Sequence, residues 1–343
     1  MSPHPFTKSA PPRPWYVRAY QELAVHELLI LTFLLILNAA VWFSGPDPNR
    51  LPNIARVGGL LALLLVSICL VRGGALDKMP WWRALLYRFG IYGPVQISYF
   101  FFKTVLPQVN KTTLDSQLYA FDLKVFGFEP AMALDRFVTH ATTEWFAFFY
   151  FGYFFLLALH VVPILFFSRR RHILGEFTFA IIMVFCVGHS LYMAVPGYGP
   201  YRAMAGAFQH SFPAGLWHDL VMSAVKSGGA QMDIFPSLHT AAPTAVALFS
   251  WRNRKELPFR YTWPLVAFCT VNIIIATMFL RWHYLIDVVV GLALAATGVW
   301  LSRPVTRWEL ARRERLGYGA VWPEFTPVPS ANKDYPSDAT SVA

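Results

Sequence analysis

Charged residues are scarce in this chain. Asp, Glu, Lys and Arg make up 14% of its 343 residues, whereas 56% of the residues are hydrophobic and the mean hydropathy is +0.42. Ordinary soluble domains carry roughly 25% charged residues, so this composition excludes a water-soluble enzyme of the usual kind. We therefore predict an all-α fold, a polytopic membrane helix bundle.

Cysteines and nucleotide-binding motifs are also few or missing. The three cysteines, Cys69, Cys186 and Cys269, all lie in apolar runs, where a thiol behaves as a small hydrophobic group, so no disulfide framework is indicated. The sequence has no Walker motif and no glycine-rich nucleotide fingerprint, so ATP is not implied. No separate cleavable signal precedes the first apolar run, which we expect to act as an uncleaved anchor.

Eight apolar runs are long enough, or nearly so, to cross a bilayer, which requires roughly 17–25 residues. They lie at about 28–43, 57–71, 90–106, 145–167, 175–195, 236–251, 262–280 and 284–302. The first, second and sixth runs are short, so each needs flanking residues, tilting or a re-entrant path. About eight transmembrane helices are predicted, the first two within residues 28–89.

Polar segments flank these spans and are predicted to be cytoplasmic. Residues 1–27 begin with a Pro-rich stretch, and residues 15–27 suit an interfacial helix. Residues 303–343 form the predicted C-terminal tail, which we expect to be disordered beyond about residue 318.

The basic residues between the spans predict the orientation. With both termini in the cytoplasm, 20 of the 29 Lys and Arg fall on the cytoplasmic side and 9 outside, in agreement with the positive-inside rule. Anionic lipid headgroups then account for the net charge of +10, and no nucleic-acid partner is implied. The expected location is a plasma or inner membrane, and the sequence names no protein partner.

Two short stretches place a histidine at the mouth of an apolar run. One reads Phe-Pro-Ser-Leu-His-Thr over 235–240, and the other reads Arg-Trp-His-Tyr-Leu-Ile-Asp over 281–287. On a helix His283 and Asp287 share one face, so the carboxylate can hold and polarise the imidazole. A histidine held in this way is a base or a nucleophile. The predicted topology places both motifs on the non-cytoplasmic side.

Other interpretations of the histidines stay open on these residues alone. His283 with Asp287 also fits a structural pair between helices, or two metal ligands, although no third ligand is evident at helical spacing. His239 alone fits a satisfied polar residue. His160 and His189, in the middle of two spans, fit a bis-histidine haem pair or, as the better default, hydrogen bonds between helices.

Two neighbouring segments lie beside the predicted site. Residues 107–144 are expected to form short interfacial helices that cover it. The aromatic run from Trp145 to Phe155 is expected to face lipid or to pack in the core.

Together the two histidine motifs resemble the type-2 phosphatidic acid phosphatase superfamily, and within it the branch of inositol phosphorylceramide synthases and sphingomyelin synthases. The resemblance implies a six-helix catalytic core over residues 90–302 and a lipid phosphate or phospholipid substrate. It also implies that His283 attacks phosphorus and becomes a phosphohistidine, that Asp287 orients it, and that His239 protonates the leaving oxygen. Such a route needs no metal and no cofactor.

The chain departs from the lipid phosphatase pattern at three places. Lys103 is followed seven residues on by Asn110, so the motif of a Lys, six residues and Arg-Pro is absent. Leu238, rather than glycine, precedes the histidine of the second motif, as in the ceramide phosphotransferase branch. Thr277 stands where the phosphatases have an arginine of the third motif.

Arginines are the predicted phosphate ligands, because guanidinium forks match the oxygens of a phosphoryl group. Arg281 precedes His283 by two residues, and Arg202 ends the Gly- and Pro-rich loop 196–202. An alternative role for Lys103, in the third span, is to extend its ammonium group to the membrane interface. The predicted substrate-binding set is Arg281, Arg202, Ser237, Lys103 and Tyr198.

The sequence therefore predicts a membrane enzyme that cleaves or transfers a phosphate ester at the outer interface. Phosphatase and phosphotransferase are not separated, because the choice of water or an alcohol as acceptor depends on the shape of the pocket. The alternative is a transporter or flippase of lipid-linked phosphates, which would bind phosphate with the same arginines and relay protons through the histidines.

Overall fold

A computed structural model describes residues 21–168, 170–228 and 231–325. Within these ranges the chain is helical and contains no strand, which confirms the all-α prediction. The helices are α1 Val25–Phe43, α2 Arg50–Arg72, α3 Pro80–Val109, α4 Asp115–Phe126, α5 Pro130–Leu134, α6 His140–Phe167, α7 Arg171–Ala194, α8 Pro200–Ala203, α9 Leu216–Ser227, α10 Leu238–Arg252, α11 Phe259–Phe279 and α12 Leu285–Leu316.

Eight of these helices occupy the eight predicted apolar runs. Six of them, α1, α2, α6, α7, α11 and α12, are long and apolar enough to cross a membrane, which confirms a multi-pass helical bundle. The other two helices in these runs, α3 and α10, are not among the six, each for its own reason. Arg88, Gln96 and Lys103 interrupt the apolar character of α3, while α10 has only 15 residues, about 22 Å at 1.5 Å per residue against a hydrocarbon core of about 30 Å.

Helix α7 forms the centre of the bundle. In its most apolar stretch 72% of the residues are buried, whereas the other five candidate spans have 33–44% buried. It packs against α1, α3, α6, α10 and α12. A helix that is apolar all round fits such a central position, because every face contacts another helix.

The loops alternate between two ends of the bundle. At one end, Arg72 pairs with Glu27 at 2.6 Å and Arg252 pairs with Glu176 at 2.7 Å. The other end carries α4, α5, α9 and the starts of α10 and α12, so both histidine motifs lie opposite the end that holds the basic loops. The membrane face on which that end lies stays a prediction.

Thiol labelling tests this orientation. In a background without the native cysteines, Ala205→Cys should react with a membrane-impermeant thiol reagent in intact cells, and Lys255→Cys should react only after lysis. Both positions are exposed and lie at opposite ends of the bundle. Labelling of position 255 from outside would place the histidine motifs at the cytoplasmic leaflet.

The segment 318–325 is packed, which corrects the expected disorder for this part of the tail. Trp322 is buried, and its ring stacks on His26 with 5.0 Å between the ring centroids. The rest of the predicted disordered tail, 326–343, lies outside the described residues. The Pro-rich start and the first part of the predicted interfacial helix, residues 15–20, also lie outside them.

Candidate active site

The end of α11 sets the position of His283. Arg281 adopts a left-handed conformation with φ 67°, and the N–H groups of Trp282 and His283 both donate to the carbonyl of Thr277, at 2.9 and 3.2 Å. A left-handed residue that closes the last turn is a common helix terminator. The chain then enters α12 directly, with His283 in the short connection.

His283 and Asp287 meet as their spacing predicts. The distance from His283 Nδ1 to Asp287 Oδ2 is 3.4 Å, and the same oxygen accepts a 3.0 Å hydrogen bond from the N–H of Tyr284. A carboxylate at Nδ1 leaves Nε2 as the reactive nitrogen. Burial lowers the pKa of His283 to about 4, so its imidazole is neutral, and thus nucleophilic, at neutral pH.

His239 lies in the first turn of α10. Ser237 caps this helix, and its Oγ accepts a 3.2 Å hydrogen bond from the N–H of Thr240. The His239 ring contacts the rings of Tyr150 and Tyr153, each with 4.3 Å between the centroids. Its Nε2 is buried and has no hydrogen-bond partner. Aromatic contact therefore fixes the ring while one nitrogen stays available.

The two histidine motifs meet in space. The ring centroids of His239 and His283 are 6.4 Å apart, a gap that two hydrogen-bond contacts of about 3 Å each would span. The N–H of Ser237 donates to the carbonyl of Asp287 at 3.0 Å. A Cβ added to Gly291 would lie 2.7 Å from the Ser237 carbonyl oxygen, so α10 and α12 approach each other closely at this glycine.

Both histidines line one cavity of about 530 Å³ at this end of the bundle. Two members of the predicted substrate-binding set, Tyr198 and Arg202, also line it, and the Arg202 guanidinium lies 3.9 Å from the centre of the Tyr198 ring. The cavity thus joins a cationic side chain with both predicted catalytic histidines.

Arg281 occupies a different place from the one predicted. Its Nη2 pairs with Asp135 Oδ1 at 2.7 Å and donates to the His210 carbonyl at 2.5 Å. Its guanidinium carbon lies 3.9 and 4.2 Å from the ring centres of Phe208 and Phe212. Arg281 is buried among these partners and is not part of the cavity lining. The guanidinium thus joins the outer loops to the end of α11, and its role as a phosphate ligand stays a prediction that the cavity lining does not support.

The other two predicted ligands also lie outside the cavity lining. Lys103 donates from Nζ to the carbonyl of Lys226 at 3.2 Å, at an exposed position. Ser237 is fully buried as the cap of α10. The structure therefore gives the serine a role in helix geometry and links the lysine to α9.

Asp115 is a site residue that the sequence analysis missed. Its carboxylate accepts hydrogen bonds from the N–H groups of Tyr198 and Gly199, at 3.0 and 2.9 Å, and one from the Tyr284 hydroxyl at 3.2 Å. The bonds tie the loop that bears Arg202 to the start of α12. The available signal was an acidic residue in the 107–144 segment that was expected to cover the site.

Asp122 supports the same helix start. Its two oxygens accept from the N–H groups of Leu285 and Ile286, at 2.6 and 3.0 Å, where the helix dipole favours negative charge. Burial raises the pKa of neighbouring Glu129 to about 8, so this carboxyl is protonated at neutral pH. Within 21–168, 170–228 and 231–325, no group of three or more His, Cys, Asp or Glu is arranged to hold a metal ion.

Three more cavity residues were missed. Tyr150 and Tyr153 belong to the aromatic run expected to face lipid or pack in the core; both are buried in the core, and their rings also flank His239. Asp233 lines the cavity near His283, and burial raises the pKa of its carboxyl. Aromatic spacing alone did not separate the cavity-facing tyrosines from their lipid-facing neighbours.

The two histidines within the spans have separate environments. His189 Nδ1 lies 3.4 Å from Ser98 Oγ on α3, a contact between helices as the default interpretation holds. His160 Nδ1 lies 2.8 Å from the carbonyl of Leu156 in its own helix. The helix-to-helix bond is therefore found for one histidine and not for the other.

Gly199 gives a sharp test of the loop geometry. Its φ is +75°, and an added Cβ would lie 2.2 Å from the Trp282 carbonyl oxygen. Gly199→Ala should lower activity at least tenfold, because the left-handed conformation alone costs about 1–2 kcal/mol and the clash displaces the Arg202 loop. Gly206→Ala is the matched control in the same outer segment, since nothing lies within 4 Å of its added Cβ. Equal rates for the two purified variants would contradict this account.

Comparisons with known proteins place these features in a family. A family model described as the PAP2 superfamily matches residues 116–301, just over half of the chain. No curated protein and no solved structure gives a match. The matched region contains both histidine motifs, Asp122 and the Arg202 loop, and it begins one residue after Asp115. The chain belongs to the PAP2 superfamily, whose members are phosphatases or phosphotransferases.

Proposed function

We propose that this membrane protein transfers the phosphoryl group of a lipid phosphate ester through a phosphohistidine intermediate on His283. The observation that carries the proposal is the pair of histidines, from two separate helices, that share one cavity with 6.4 Å between their ring centroids. One serves as nucleophile and the other as acid and base.

The reaction has two displacements. In the first, Nε2 of His283 attacks phosphorus, the bond from phosphorus to the leaving oxygen breaks, and His239, which the charge of the bound phosphate keeps protonated, gives that oxygen its proton. In the second, water or an alcohol attacks the phosphohistidine, His239 takes the proton of the attacking hydroxyl, and the bond from phosphorus to nitrogen breaks. Asp287 stabilises the cationic imidazole ring that forms.

Arg202 holds the transferring phosphoryl group in this proposal, because it is the cationic predicted ligand that lines the cavity. Arg202→Lys should lower kcat/KM by about 10- to 100-fold, since a point charge replaces a bidentate fork. Arg281→Lys should chiefly lower the Tm, because it weakens the buried pair with Asp135. The assay is steady-state kinetics beside a thermal scan of both variants, and a larger kinetic defect in Arg281→Lys would reverse the assignment.

Transfer to an alcohol, as in an inositol phosphorylceramide synthase, is the finer proposal. It rests on the resemblance of the Pro-Ser-Leu-His motif to that branch and on the size of the cavity, about 530 Å³. A second polar molecule has room beside the phosphoryl group in such a volume.

The purified protein should be given lipid phosphates and phospholipids, with and without inositol or ceramide. Phosphate release alone would identify a phosphatase, and headgroup exchange would identify a phosphotransferase. A radiolabelled donor should leave a base-stable, acid-labile label on the protein, as a phosphohistidine does. Movement of intact substrate across sealed vesicles, with no label and no ester cleavage, would favour the transporter and end this proposal.

A further inference from the structure

A second cavity, of about 240 Å³, continues from the catalytic one between α3 and α6. Gln96, Leu157 and Phe185 line both cavities. The two spaces therefore form one groove, with one wall on α3, one on α6 and its floor on α7. We name it the α3–α6 groove.

The groove extends beyond the middle of the bilayer. It follows α6 from Tyr150, beside His239, to Phe166 near the opposite end. This stretch of helix is about 24 Å long at 1.5 Å per residue. Half of a typical hydrocarbon core measures only about 15 Å, so the groove is longer than one leaflet is thick.

Aromatic rings close the far end of the groove. The Phe166 ring lies 6.2 Å from that of Phe89 on α3 and 6.1 Å from that of Phe325 in the packed tail segment. The Arg88 guanidinium lies 4.4 Å from the centre of the Phe325 ring. An apolar groove with a fixed end suits an apolar chain of limited length.

A polar group marks the junction of the two cavities. Gln96 lies on α3 about one turn below Tyr99 and is exposed on the groove side. An exposed carboxamide is costly against hydrocarbon alone. A lipid with its phosphoryl group between the two histidines would place the esters, amides or hydroxyls that link phosphate to tail near this carboxamide.

We propose that the α3–α6 groove binds one acyl tail of the lipid substrate and that the aromatic rings at its far end set the longest tail accepted. This inference rests on the proposed function, since it requires the phosphoryl group to lie between His239 and His283. The tail that fills the groove is an ordinary long acyl chain of the palmitoyl or stearoyl class, because its extended length matches the stretch of α6 from Tyr150 to Phe166. The groove walls thereby select among lipids that share one headgroup.

Substitutions inside the groove test the proposal. Ala158 lines the second cavity, so Ala158→Trp should fill it and lower kcat/KM for a palmitoyl lipid phosphate by tenfold or more, the order of discrimination that an apolar pocket gives for fitted methylenes. Phe166→Ala should open the far end and shift the preference to longer tails, such as lignoceroyl. Leu159→Trp is the matched control, because Leu159 is 71% exposed on α6 and lines neither cavity.

The assay compares octanoyl, palmitoyl and lignoceroyl lipid phosphates with farnesyl and undecaprenyl phosphates in mixed micelles. Preserved turnover of the octanoyl substrate in every variant would show that the catalytic site works independently of the groove. A loss in Ala158→Trp that is confined to the isoprenoid substrates would overturn the assignment of an acyl tail. Unchanged tail-length profiles in Ala158→Trp and Phe166→Ala would overturn the groove proposal, whereas absence of turnover with all substrates in the wild type would instead defeat the proposed function.

Discussion

Replacing His283 with alanine should abolish turnover. Less than about a hundredth of the wild-type rate should remain, because loss of a covalent nucleophile costs several orders of magnitude in kcat. The same variant should take up no acid-labile phosphate label from a radioactive donor. Both effects are read from the purified protein with a single lipid phosphate.

Two further variants serve as comparisons for His283→Ala. Asp287→Asn should be damaging but leaky, since the nucleophile stays and only its orientation and tautomer change. His160→Ala is the matched control, because that histidine contacts the Leu156 carbonyl of its own helix and does not line the catalytic cavity. A His283→Ala protein that kept more than about a hundredth of the rate would refute the nucleophile assignment.

Replacing His239 with alanine should give a loss that depends on the leaving group. With an alkyl phosphate the rate of intermediate formation should fall about 10²- to 10⁴-fold, the usual contribution of a general acid. With p-nitrophenyl phosphate the fall should be much smaller, because nitrophenolate leaves without a proton. Burst kinetics measure this step separately from hydrolysis of the intermediate.

The Tyr150→Leu variant distinguishes loss of the proposed acid from loss of the ring packed against it. It removes one ring that contacts His239 while the imidazole stays, so the dependence on the leaving group should persist. If His239→Ala slowed both phosphate esters equally, His239 would bind or position the substrate and would not act as the acid.

The hydrophobic pattern predicts most of the fold. Apolar runs of spanning length determine where helices form, because the bilayer leaves backbone groups no other partner, and all eight runs are helical in the structure. The pattern is weaker where polar residues interrupt a run, as Gln96 does in α3. The hydrophobic pattern also did not predict the burial of Trp322. Its contact with His26 forms only when two segments that are distant in the sequence meet.

The contact between His283 and Asp287 could be predicted because spacing on one helix determines its geometry. His283 and Asp287 are neighbours in any helix or helix start, whatever surrounds them. Arg281 could not be placed in the same way. Its left-handed backbone directs the side chain towards Asp135, 146 positions earlier in the chain, and no local pattern shows that partner.

The acidic residues beside the site also contact segments that are distant in the sequence. Asp115 and Asp122 bind backbone N–H groups of the 198–199 loop and of α12. Backbone donors have no signature in the sequence, since every residue except proline carries one. Such contacts become visible only when the covering segment is folded over the site.

The close approach at Gly291 joins α10 and α12 tightly. Because the Ser237 carbonyl leaves no space for a side chain there, these two helices pack backbone to backbone next to His239 and His283. In contrast, α3 and α6 have the second cavity between them. A lipid that enters or leaves between α3 and α6 would therefore leave the contact at Gly291 unchanged.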